Sequence, residues 1–348
     1  MKFQFYLSIF FILSFLSCEN LEKQNLNLET NIEIDTLVFA LDWSPNIAHA
    51  GFFWAEAQGM FAAENLYIEW FSPEIDNYKK SPINKVVFGG ADIGISNTEQ
   101  LLIFGADCEG RINAKALATF IQNDSRVFIS KKTTNDVIQP KFFDGKKYFY
   151  FFTPIEKEII ESMCINDGGI GNIEMKYTQR LNVWEDFYND SVEIAWVNTH
   201  WEAAKAEYIG LELYTFQPKD FGVPYGYSSL LVTSTEHTPK TEKAIERFVK
   251  VLEKAHTDLV KNESKEVAEI LCRHVNHPNF EDEKFIALAF EKIKPNFLST
   301  SNYRWGLMNE KVWEDYYLWM KEIFGEKSEI VHFVQIKELY TNELLSFE

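Results

Sequence analysis

The sequence predicts an α/β fold of two lobes with a cleft between them. Beyond residue 35, short β-like runs such as "TLVFAL" (36–41) alternate with segments such as "GFFWAEAQGMFAAEN" (51–65), whose apolar residues recur at helical spacing. The same alternation begins again at "KKYFYFF" (146–152). Strands separated by helices favour mostly parallel sheets with helices on both faces, and two successive units of this kind indicate two lobes joined by crossover strands.

The first lobe is assigned to residues 36–128. Its first strand and helix are followed by the strand "LYIEWFS" (66–72), a short helix within "YKKSPINKVVFGG" (78–90), the buried strand "ADIGIS" (91–96), the helix "NTEQLLIFGAD" (97–107), and the strands "AKALATFI" (114–121) and "RVFIS" (126–130). Ser96 or Asn97 can cap the second helix of this set, and Gly89–Gly90 can end the first, because these residue types are typical of helix ends.

The second lobe is assigned to residues 129–220, and residues 221–348 return to the first lobe and continue into C-terminal helices. The second unit comprises the strand at 146–152, the helix "PIEKEIIESMCINDGG" (154–169), the strand "IEMKY" (173–177), the helix "LNVWEDFYND" (181–190), the strand "VEIAWV" (192–197) and the helix "HWEAAKAEYIG" (200–210). A turn-rich segment follows, then the strand-like "SSLLVTS" (228–234). From Lys240 the chain is largely helical.

The N-terminus has the features of a bacterial lipoprotein signal. Residues 1–17 combine an early positive charge with an apolar stretch that is short for a membrane span, and a small residue precedes Cys18. This pattern predicts a signal peptide at 1–17, lipidation of Cys18 and a polar tether at 18–35, although Phe15 stands where leucine is usual. An uncleaved anchor or ordinary secretion are the alternatives.

Composition restricts the partners. Lys and Arg total 34 against 52 Asp and Glu, and this formal charge of −18 would repel nucleic acid and anionic membrane surfaces. After Cys18, three scattered cysteines show neither a disulfide framework nor metal-ligand spacing. His274 and His277 have no carboxylate motif beside them, so no metal site is predicted.

The segment "LDWSPNIAHAG" (41–51) follows the first strand directly. Ligand sites in α/β sheets form outside the carboxyl ends of strands, which places this segment at the cleft. Trp43 can stack on a flat ring and Asp42 can accept hydrogen bonds from an amino-substituted one, while Asn46 and His49 can donate or accept. The alternative is structural, with Asp42 capping a helix, Trp43 in the core and His49 at the surface.

Three further segments carry polar and aromatic residues at comparable positions. They are "WVNTHWEAA" (196–204) with Trp201 and Glu202, "FGVPYGYSS" (221–229) with Tyr225 between bend-forming glycines, and "SNTEQ" (96–100) with Ser96 and Glu99. Helix capping and plain turns are the structural alternatives. Because four segments agree on one edge, we expect them to line a common ligand site.

These residues also carry a family resemblance. The chain resembles the thiamine-pyrimidine-synthase-like branch of the periplasmic-binding-protein superfamily through D-W-x-P-N-x-x-H-x-G (42–51), S-P-x-x-D-N-Y (72–78), "TPIEKEII" (153–160), "HWE" (200–202), "FGVPYGYSSLLV" (221–232) and "YTNELL" (340–345). The resemblance implies a periplasmic-binding-protein type II fold with a ligand between the lobes. It also implies pocket contributions from Trp43, Asn46, His49, Glu202 and Tyr225.

The same family includes a eukaryotic enzyme that builds the thiamine pyrimidine from pyridoxal phosphate and one of its own histidines, with iron. Its lysine and histidine align with Ser96 and Gln100, and its cysteine-rich run aligns with the cysteine-free Val223–Tyr227. A Schiff base requires a lysine amine. We therefore expect no catalytic residues and no cofactor, with pyridoxal phosphate and iron relevant only if the chain is such a synthase.

The expected function is that of a lipid-anchored solute-binding protein in the cell envelope, working with an ABC permease. Its expected ligand is an aminopyrimidine precursor of thiamine, such as a hydroxymethyl- or formylaminomethyl-pyrimidine. The alternatives are a pyrimidine-forming enzyme that uses another lysine, and a binder of an unrelated solute such as a sulfonate or a flavin precursor. An anionic ligand is disfavoured because the four segments contain no arginine.

Overall fold

The computed structural model describes residues 33–104, 111–132, 139–150, 155–177, 183–299, 304–325 and 335–346. Residues 35–348 form one compact unit. The predicted signal peptide and Cys18 lie outside the described residues, so lipidation stays a prediction. None of the helices in these ranges has the length and apolar character needed to cross a bilayer.

The described residues form ten strands and eleven α-helices. The strands are β1 (Asp35–Ala40), β2 (Leu66–Phe71), β3 (Ile93–Ser96), β4 (Ala114–Thr119), β5 (Arg126–Lys131), β6 (Lys147–Tyr150), β7 (Glu174–Tyr177), β8 (Ala195–Asn198), β9 (Leu213–Phe216) and β10 (Leu230–Ser234). The helices are α1 (Ala50–Ala57), α2 (Met60–Ala63), α3 (Pro82–Val87), α4 (Thr98–Phe104), α5 (Ile155–Asn166), α6 (Val183–Tyr188), α7 (Glu202–Tyr208), α8 (Pro239–Leu259), α9 (Ser264–His274), α10 (Glu283–Phe297) and α11 (Glu310–Phe324).

The first lobe is built on a five-stranded sheet with the order β2-β1-β3-β10-β4. Strand β1 runs parallel to β2 and β3, whereas β10 runs antiparallel to both β3 and β4. Strand β4 therefore runs in the same direction as β1, β2 and β3, so four strands of this sheet follow the predicted parallel arrangement and β10 is reversed. Strand β10 reverses direction because the chain re-enters this sheet from the second lobe.

The second lobe contains an antiparallel sheet with the order β8-β5-β9 and a parallel pair, β6-β7. Residues 120–125 connect β4 to β5, and residues 217–229 connect β9 to β10. The chain therefore crosses between the two sheets twice. This is the two-lobed α/β architecture that the sequence predicts, while the predicted lobe boundaries after residues 128 and 220 remain predictions.

Alternating burial along β1 shows how the first lobe packs. Leu37 and Phe39 are buried in a core with residues of α1, α8, α9 and α10, whereas Ala40 is buried in a second core with residues of α3, α4 and α11. Successive side chains of a strand point to opposite faces, so one strand contributes to both layers. The sheet thus lies between two helical layers, which fixes the position of its carboxyl-end loops.

One helix predicted from the sequence is divided in the structure. Residues 51–65 were expected to form a single helix, but α1 ends at Ala57 and α2 begins at Met60. Gly59 between them has φ +66°, a left-handed conformation that glycine adopts without strain. A short 3-10 helix, Ile47–His49, precedes α1 and belongs to the turn after β1.

Candidate functional site

A cavity of about 260 Å³ lies between the two lobes. Its walls include the loops after β1 and β3 from the first lobe, and the start of β5 and the end of β8 from the second. Seven of the nine ligand-binding residues predicted from the sequence line it: Asp42, Trp43, Asn46, Ser96, Glu99, Trp201 and Glu202. The fourth predicted segment, 221–229, also reaches this cavity through Ser228 and Ser229, so the structure brings all four segments to a common surface.

His49 organises the turn after β1 rather than lining the cavity. Its Nδ1 accepts the backbone N–H of Asn46 at 3.2 Å, so the ring proton is on Nε2, which donates to Asp42 Oδ1 at 3.0 Å. The imidazole is 1% exposed and stacks on Phe52. The predicted ligand contact of His49 is therefore replaced by a positioning role, because its ring holds the carboxylate of Asp42 at the cavity.

Gly51 explains the last position of the turn motif. A Cβ atom at residue 51 would lie 2.2 Å from Cε1 and Nε2 of His256, which is fully buried in α8. Only glycine allows α1 to pack this closely on that imidazole. The motif D-W-x-P-N-x-x-H-x-G therefore combines residues that face the cavity with residues that fix the helix behind it.

Trp43 and Tyr78 form an aromatic wall of the cavity. Their ring centroids are 5.9 Å apart and the planes meet at 59°. The Tyr78 hydroxyl is 2.9 Å from Ser44 Oγ, which links the two segments. Asn77 and Tyr78 both have positive φ, 53° and 59°, and such a conformation costs a non-glycine residue about 1–3 kcal/mol.

A buried lysine supports this strained turn. Lys85 is 4% exposed, and its Nζ donates to the Lys80 carbonyl at 2.9 Å and pairs with Asp76 Oδ2 at 3.0 Å. These two bonds tie α3 to residues 76–80. Lys80 itself lines the cavity with Tyr78, and neither was predicted as a site residue.

The β3–α4 connection presents a hydroxyl and an amide to the cavity. Ser96 Oγ donates to Gln100 Oε1 at 3.3 Å, and Asn97 Oδ1 accepts the Gln100 backbone N–H at 2.7 Å as the helix cap. Ser96 and Gln100 both line the cavity. The positions that align with the synthase lysine and histidine thus face the cleft here with uncharged side chains.

The β8–α7 connection contributes Trp201, Glu202 and His200. Glu202 Oε2 accepts the Asn198 backbone N–H at 3.0 Å, and burial raises the pKa of this carboxyl. His200 Nδ1 lies 3.1 Å from Ser125 Oγ, and burial together with the nearby His49 lowers the pKa of His200 to about 3. The Trp201 ring packs on Phe285 of α10 at 4.9 Å. His200 is therefore uncharged at neutral pH.

Arg126, the first residue of β5, forms the inner part of the cavity. Its guanidinium carbon is 4.2 Å from the ring centroids of both Trp196 and Tyr225, and its Nε is 3.4 Å from Asp124 Oδ1. Burial by itself would lower the pKa of Arg126, but Tyr225, Asp124 and Glu99 outweigh it and hold that pKa above its usual value.

Tyr225 does not line the cavity, in contrast to the prediction. It is 9% exposed and lies behind Arg126, where its hydroxyl donates to Glu99 Oε2 at 3.4 Å. Its ring therefore supports the guanidinium rather than the ligand. The glycine beside it is required, because a Cβ at Gly226 would lie 2.6 Å from Thr98 Oγ1.

A second cavity of about 500 Å³ adjoins the first, and the two share Trp43, Tyr78, Trp201 and Glu202 in their linings. Both lobes contribute to it as well, since Trp184 and Lys205 belong to α6 and α7, whereas Phe285 belongs to α10. The aromatic wall thus lies where the two cavities meet, and the first cavity is called the inner cavity and the second the outer cavity below.

Metal ligation finds no support at the histidine pair. His274 Nε2 lies 3.0 Å from Glu56 and His277 Nε2 lies 3.2 Å from Glu74, so the two imidazoles contact different carboxylates. Within the part of the chain that the structure describes, no group of three or more His, Cys, Asp or Glu side chains could hold a metal ion.

Comparison with known proteins adds a sequence family. The model of the family described as "NMT1/THI5 like" matches residues 46–265. The chain is also 20% identical over 296 residues to the formylaminopyrimidine-binding protein of Halalkalibacterium halodurans, an alignment that covers 82% of this chain and 85% of that protein.

Solved structures share the fold at low sequence identity. The alkanesulfonate-binding protein SsuA from Xanthomonas axonopodis pv. citri, bound to MOPS, has a TM-score of 0.61 at 10% identity and covers 89% of this chain and 99% of its own. The periplasmic aliphatic sulphonate binding protein SsuA from Escherichia coli has a TM-score of 0.60 at 12% identity, with coverages of 88% and 97%. These likenesses confirm the predicted two-lobed periplasmic-binding-protein fold.

Proposed function

The chain belongs to the NMT1/THI5-like family, and from this premise we propose that it is the solute-binding component of an ABC importer. Its proposed ligand is an aminopyrimidine related to thiamine biosynthesis, such as a hydroxymethyl- or formylaminomethyl-pyrimidine. The relative named for formylaminopyrimidine binding supports this ligand class, and the shared fold supports the transport role.

The observation that carries the proposal is the charge of the inner cavity. Among its described lining residues, four carboxylates face two basic side chains: Asp42, Glu99, Glu156 and Glu202 against Lys80 and Arg126. A carboxylate accepts hydrogen bonds from an exocyclic amino group and from a protonated ring nitrogen, whereas it repels an anion. The cavity therefore suits a basic amino heterocycle better than the sulfonates named for two structural neighbours.

The aromatic wall supplies the second part of recognition. The Trp43 ring is wide enough to cover one face of a pyrimidine, and Asp42, held by His49 Nε2 at 3.0 Å, stands next to it in the chain. Glu202 lies across the cavity in the second lobe. We infer that the ring stacks on Trp43 while the carboxylates of Asp42 and Glu202 accept from its amino edge.

Transport by such a protein requires binding and release without chemical change. The two lobes are connected by residues 120–125 and 217–229, which can act as hinges. Trp43 belongs to one lobe and Glu202 to the other, so a ligand that contacts both stabilises the closed arrangement. An importer that recognises the closed form then receives loaded protein selectively.

A synthase is the second candidate, since Lys80 lines the cavity and could in principle form a Schiff base. Incubation with pyridoxal phosphate and borohydride, followed by intact-mass measurement, tests this directly. We expect no covalent adduct, with Lys80→Ala as the control for nonspecific labelling. An adduct that disappears in the Lys80→Ala variant would favour the synthase.

The ligand class is tested by isothermal titration calorimetry with an aminopyrimidine series and an alkanesulfonate. We expect the aminopyrimidines to bind and the sulfonate to bind at least tenfold more weakly, which corresponds to about 1.4 kcal/mol. Native mass spectrometry of the purified protein would identify a ligand that is retained. Preferential binding of the sulfonate would overturn the proposed ligand.

We also propose that Cys18 carries a lipid that holds the protein at the extracytoplasmic face of the membrane. Labelling with a clickable fatty acid in a bacterial host should mark the wild-type chain and leave Cys18→Ser unlabelled. The variant should also move from the membrane fraction to the soluble fraction. Membrane retention of unlabelled Cys18→Ser would favour an uncleaved anchor.

A further inference from the structure

The ligand proposed above accounts for the inner cavity but not for the outer one. The outer cavity has a volume of about 500 Å³, against about 260 Å³ for the inner cavity. Because Trp43, Tyr78, Trp201 and Glu202 line both, a molecule bound in the inner cavity can extend into the outer one. The chemistry of the outer wall then indicates which group such an extension carries.

Aromatic side chains form much of the outer cavity wall. Five of its described lining residues are aromatic: Trp43, Tyr78, Trp184, Trp201 and Phe285. The ring centroids of Trp43 and Tyr78 are 5.9 Å apart with the planes at 59°, and those of Trp201 and Phe285 are 4.9 Å apart with the planes at 58°. Each pair therefore forms a corner of two inclined rings. Aromatic rings grouped in this way form the cages in which proteins bind alkylated ammonium groups.

The carboxylate of Glu74 is tied to one of these aromatic rings. Glu74 Oε1 accepts the Ser44 hydroxyl at 3.0 Å, and Ser44 Oγ in turn lies 2.9 Å from the Tyr78 hydroxyl. Glu74 Oε2 is 3.2 Å from His277 Nε2, which carries a proton because Nδ1 of the same ring accepts a backbone N–H. Burial by itself would raise the pKa of Glu74, but hydrogen bonds from Ser44, Ser72 and His277 outweigh it and lower that pKa. Glu74 is therefore ionised at neutral pH, and these bonds hold it at the outer wall.

The charges of the outer cavity favour a cation. Among its described lining residues, the acidic ones are Glu74, Glu185 and Glu202, and the basic one is Lys205. Burial raises the pKa of Glu202, but Glu74 and Glu185 by themselves outnumber the one ammonium group. Lys205 Nζ lies 5.5 Å from the Trp184 ring centroid, so an aromatic face of this wall already has a cation beside it. The surplus of negative charge would repel an anion.

We propose that the outer cavity is a second subsite, which receives an alkylated ammonium group carried by the aminopyrimidine. This inference rests on the proposed function and extends it, because the ligand then has two parts: a pyrimidine ring in the inner cavity and an organic cation in the outer one. Trp43 lines both cavities and can contact both parts. The rings of Trp43 and Tyr78 attract the cation through their faces, and Glu74 supplies the opposite charge. A neutral group of the same shape gains only the apolar contacts.

The test is calorimetric titration of the wild-type full chain with three ligands that share one aminopyrimidine ring and one short alkyl chain. The chain ends in a trimethylammonium, a tert-butyl or a carboxylate group, and the hydroxymethyl compound, which has no such extension, is the reference. Trimethylammonium and tert-butyl groups have the same shape and differ in charge. We expect the cation to bind about tenfold more tightly than the tert-butyl compound. The carboxylate should bind most weakly.

Variants then assign the preference to the outer cavity. Glu74→Gln keeps the size of the side chain and removes its charge, so it should reduce the affinity ratio of the cation to the tert-butyl compound about threefold. Lys205→Met removes the competing ammonium group and should raise the same ratio about threefold. Glu69→Gln is the matched control, because it makes the same charge change on β2, where Glu69 is exposed and lines neither cavity. At about 0.15 M salt it should leave the ratio unchanged.

The outcomes separate the second subsite from the proposed function. If the reference binds but the trimethylammonium compound binds no more tightly than the tert-butyl compound, or if no extended compound binds, the subsite is overturned and aminopyrimidine binding stands. A ratio that is the same in wild type, Glu74→Gln and Lys205→Met also overturns it. Failure of the reference and of all three extended compounds to bind overturns both proposals. The wild-type comparison decides the question even if a variant does not fold.

Discussion

Two buried imidazoles should make the protein lose stability as the pH falls. His200, at the cavity, and His256, in α8, have their pKa values lowered from 6.5 to about 3 and about 4, and burial is the main cause in both. His256 Nδ1 is 2.8 Å from the Leu252 carbonyl, but its Nε2 has no partner among the described residues, so a second proton would be unsatisfied. Both rings are therefore neutral in the folded chain.

The sign and size of this loss of stability follow from proton binding in the folded and unfolded states. Between pH 7 and pH 5.5 these histidines take up protons in the unfolded chain but not in the folded chain. The unfolded state is therefore stabilised relative to the folded state, and the free energy of unfolding falls. With an unfolded pKa of 6.5, each histidine lowers the free energy of unfolding by about 1.3 kcal/mol over this interval. The lower limit of pH 5.5 stays above the sequence pI of about 4.9, which limits precipitation.

Urea unfolding at pH 7 and pH 5.5 measures this loss. His200→Asn and His256→Asn can retain the hydrogen bond made by Nδ1 but cannot bind a proton, so each variant should lose about 1.3 kcal/mol less than wild type on acidification, and the double variant about twice that. Glu202 and Asp124, whose pKa values are raised by burial, act with the opposite sign but are common to all four proteins. Parallel pH dependence in wild type and variants would refute neutral burial of these rings.

Three further predictions concern the turn after β1. Trp43→Ala should weaken aminopyrimidine binding by about 1–3 kcal/mol in calorimetry, by analogy with base stacking, while Trp43→Phe should retain most of the affinity. Wild-type affinity in both variants would remove the Trp43 ring from the site. His49→Ala should weaken aminopyrimidine binding because Asp42 loses the hydrogen bond from the imidazole, although the imidazole does not line the cavity. A variant with lower stability and unchanged affinity would contradict this positioning role. Gly51→Ala should destabilise the fold by about 1–3 kcal/mol because the added Cβ overpacks on His256. The double variant Gly51→Ala/His256→Ala should recover part of this stability. A thermal melt of Gly51→Ala identical to wild type would contradict the contact.

The strand-and-helix order could be predicted because local patterns determine it. A short apolar run predicted β1 and apolar alternation predicted β2. Helical spacing, with Thr238 and Pro239 at the start, is consistent with the long helix α8. Strand direction could not be predicted in the same way. The antiparallel direction of β10 depends on its entry from the second lobe, which no local pattern encodes.

The site residues also divide into those that local sequence patterns predict and those that long-range strand pairing determines. The rule that sites form at the carboxyl ends of strands found the cavity-lining residues Asp42, Trp43 and Glu202, because they lie in the connections after β1 and β8. It missed Arg126, which begins a strand instead of following one. Antiparallel pairing places Arg126 opposite Asn198 at the end of β8, and this long-range register brings the start of β5 to the cavity. The four predicted segments contain no arginine, but Arg126 reaches the cavity from outside them.

The residues that hold Arg126 indicate how recognition and lobe closure can be linked. The guanidinium contacts Trp196 of the second lobe and Tyr225 of a crossover between the lobes. Glu99, in α4 of the first lobe, acts on it electrostatically. A ligand that lies in the cavity between the lobes and stacks on Trp43 would add its own contacts beside this cluster. We therefore expect ligand binding to favour the closed form.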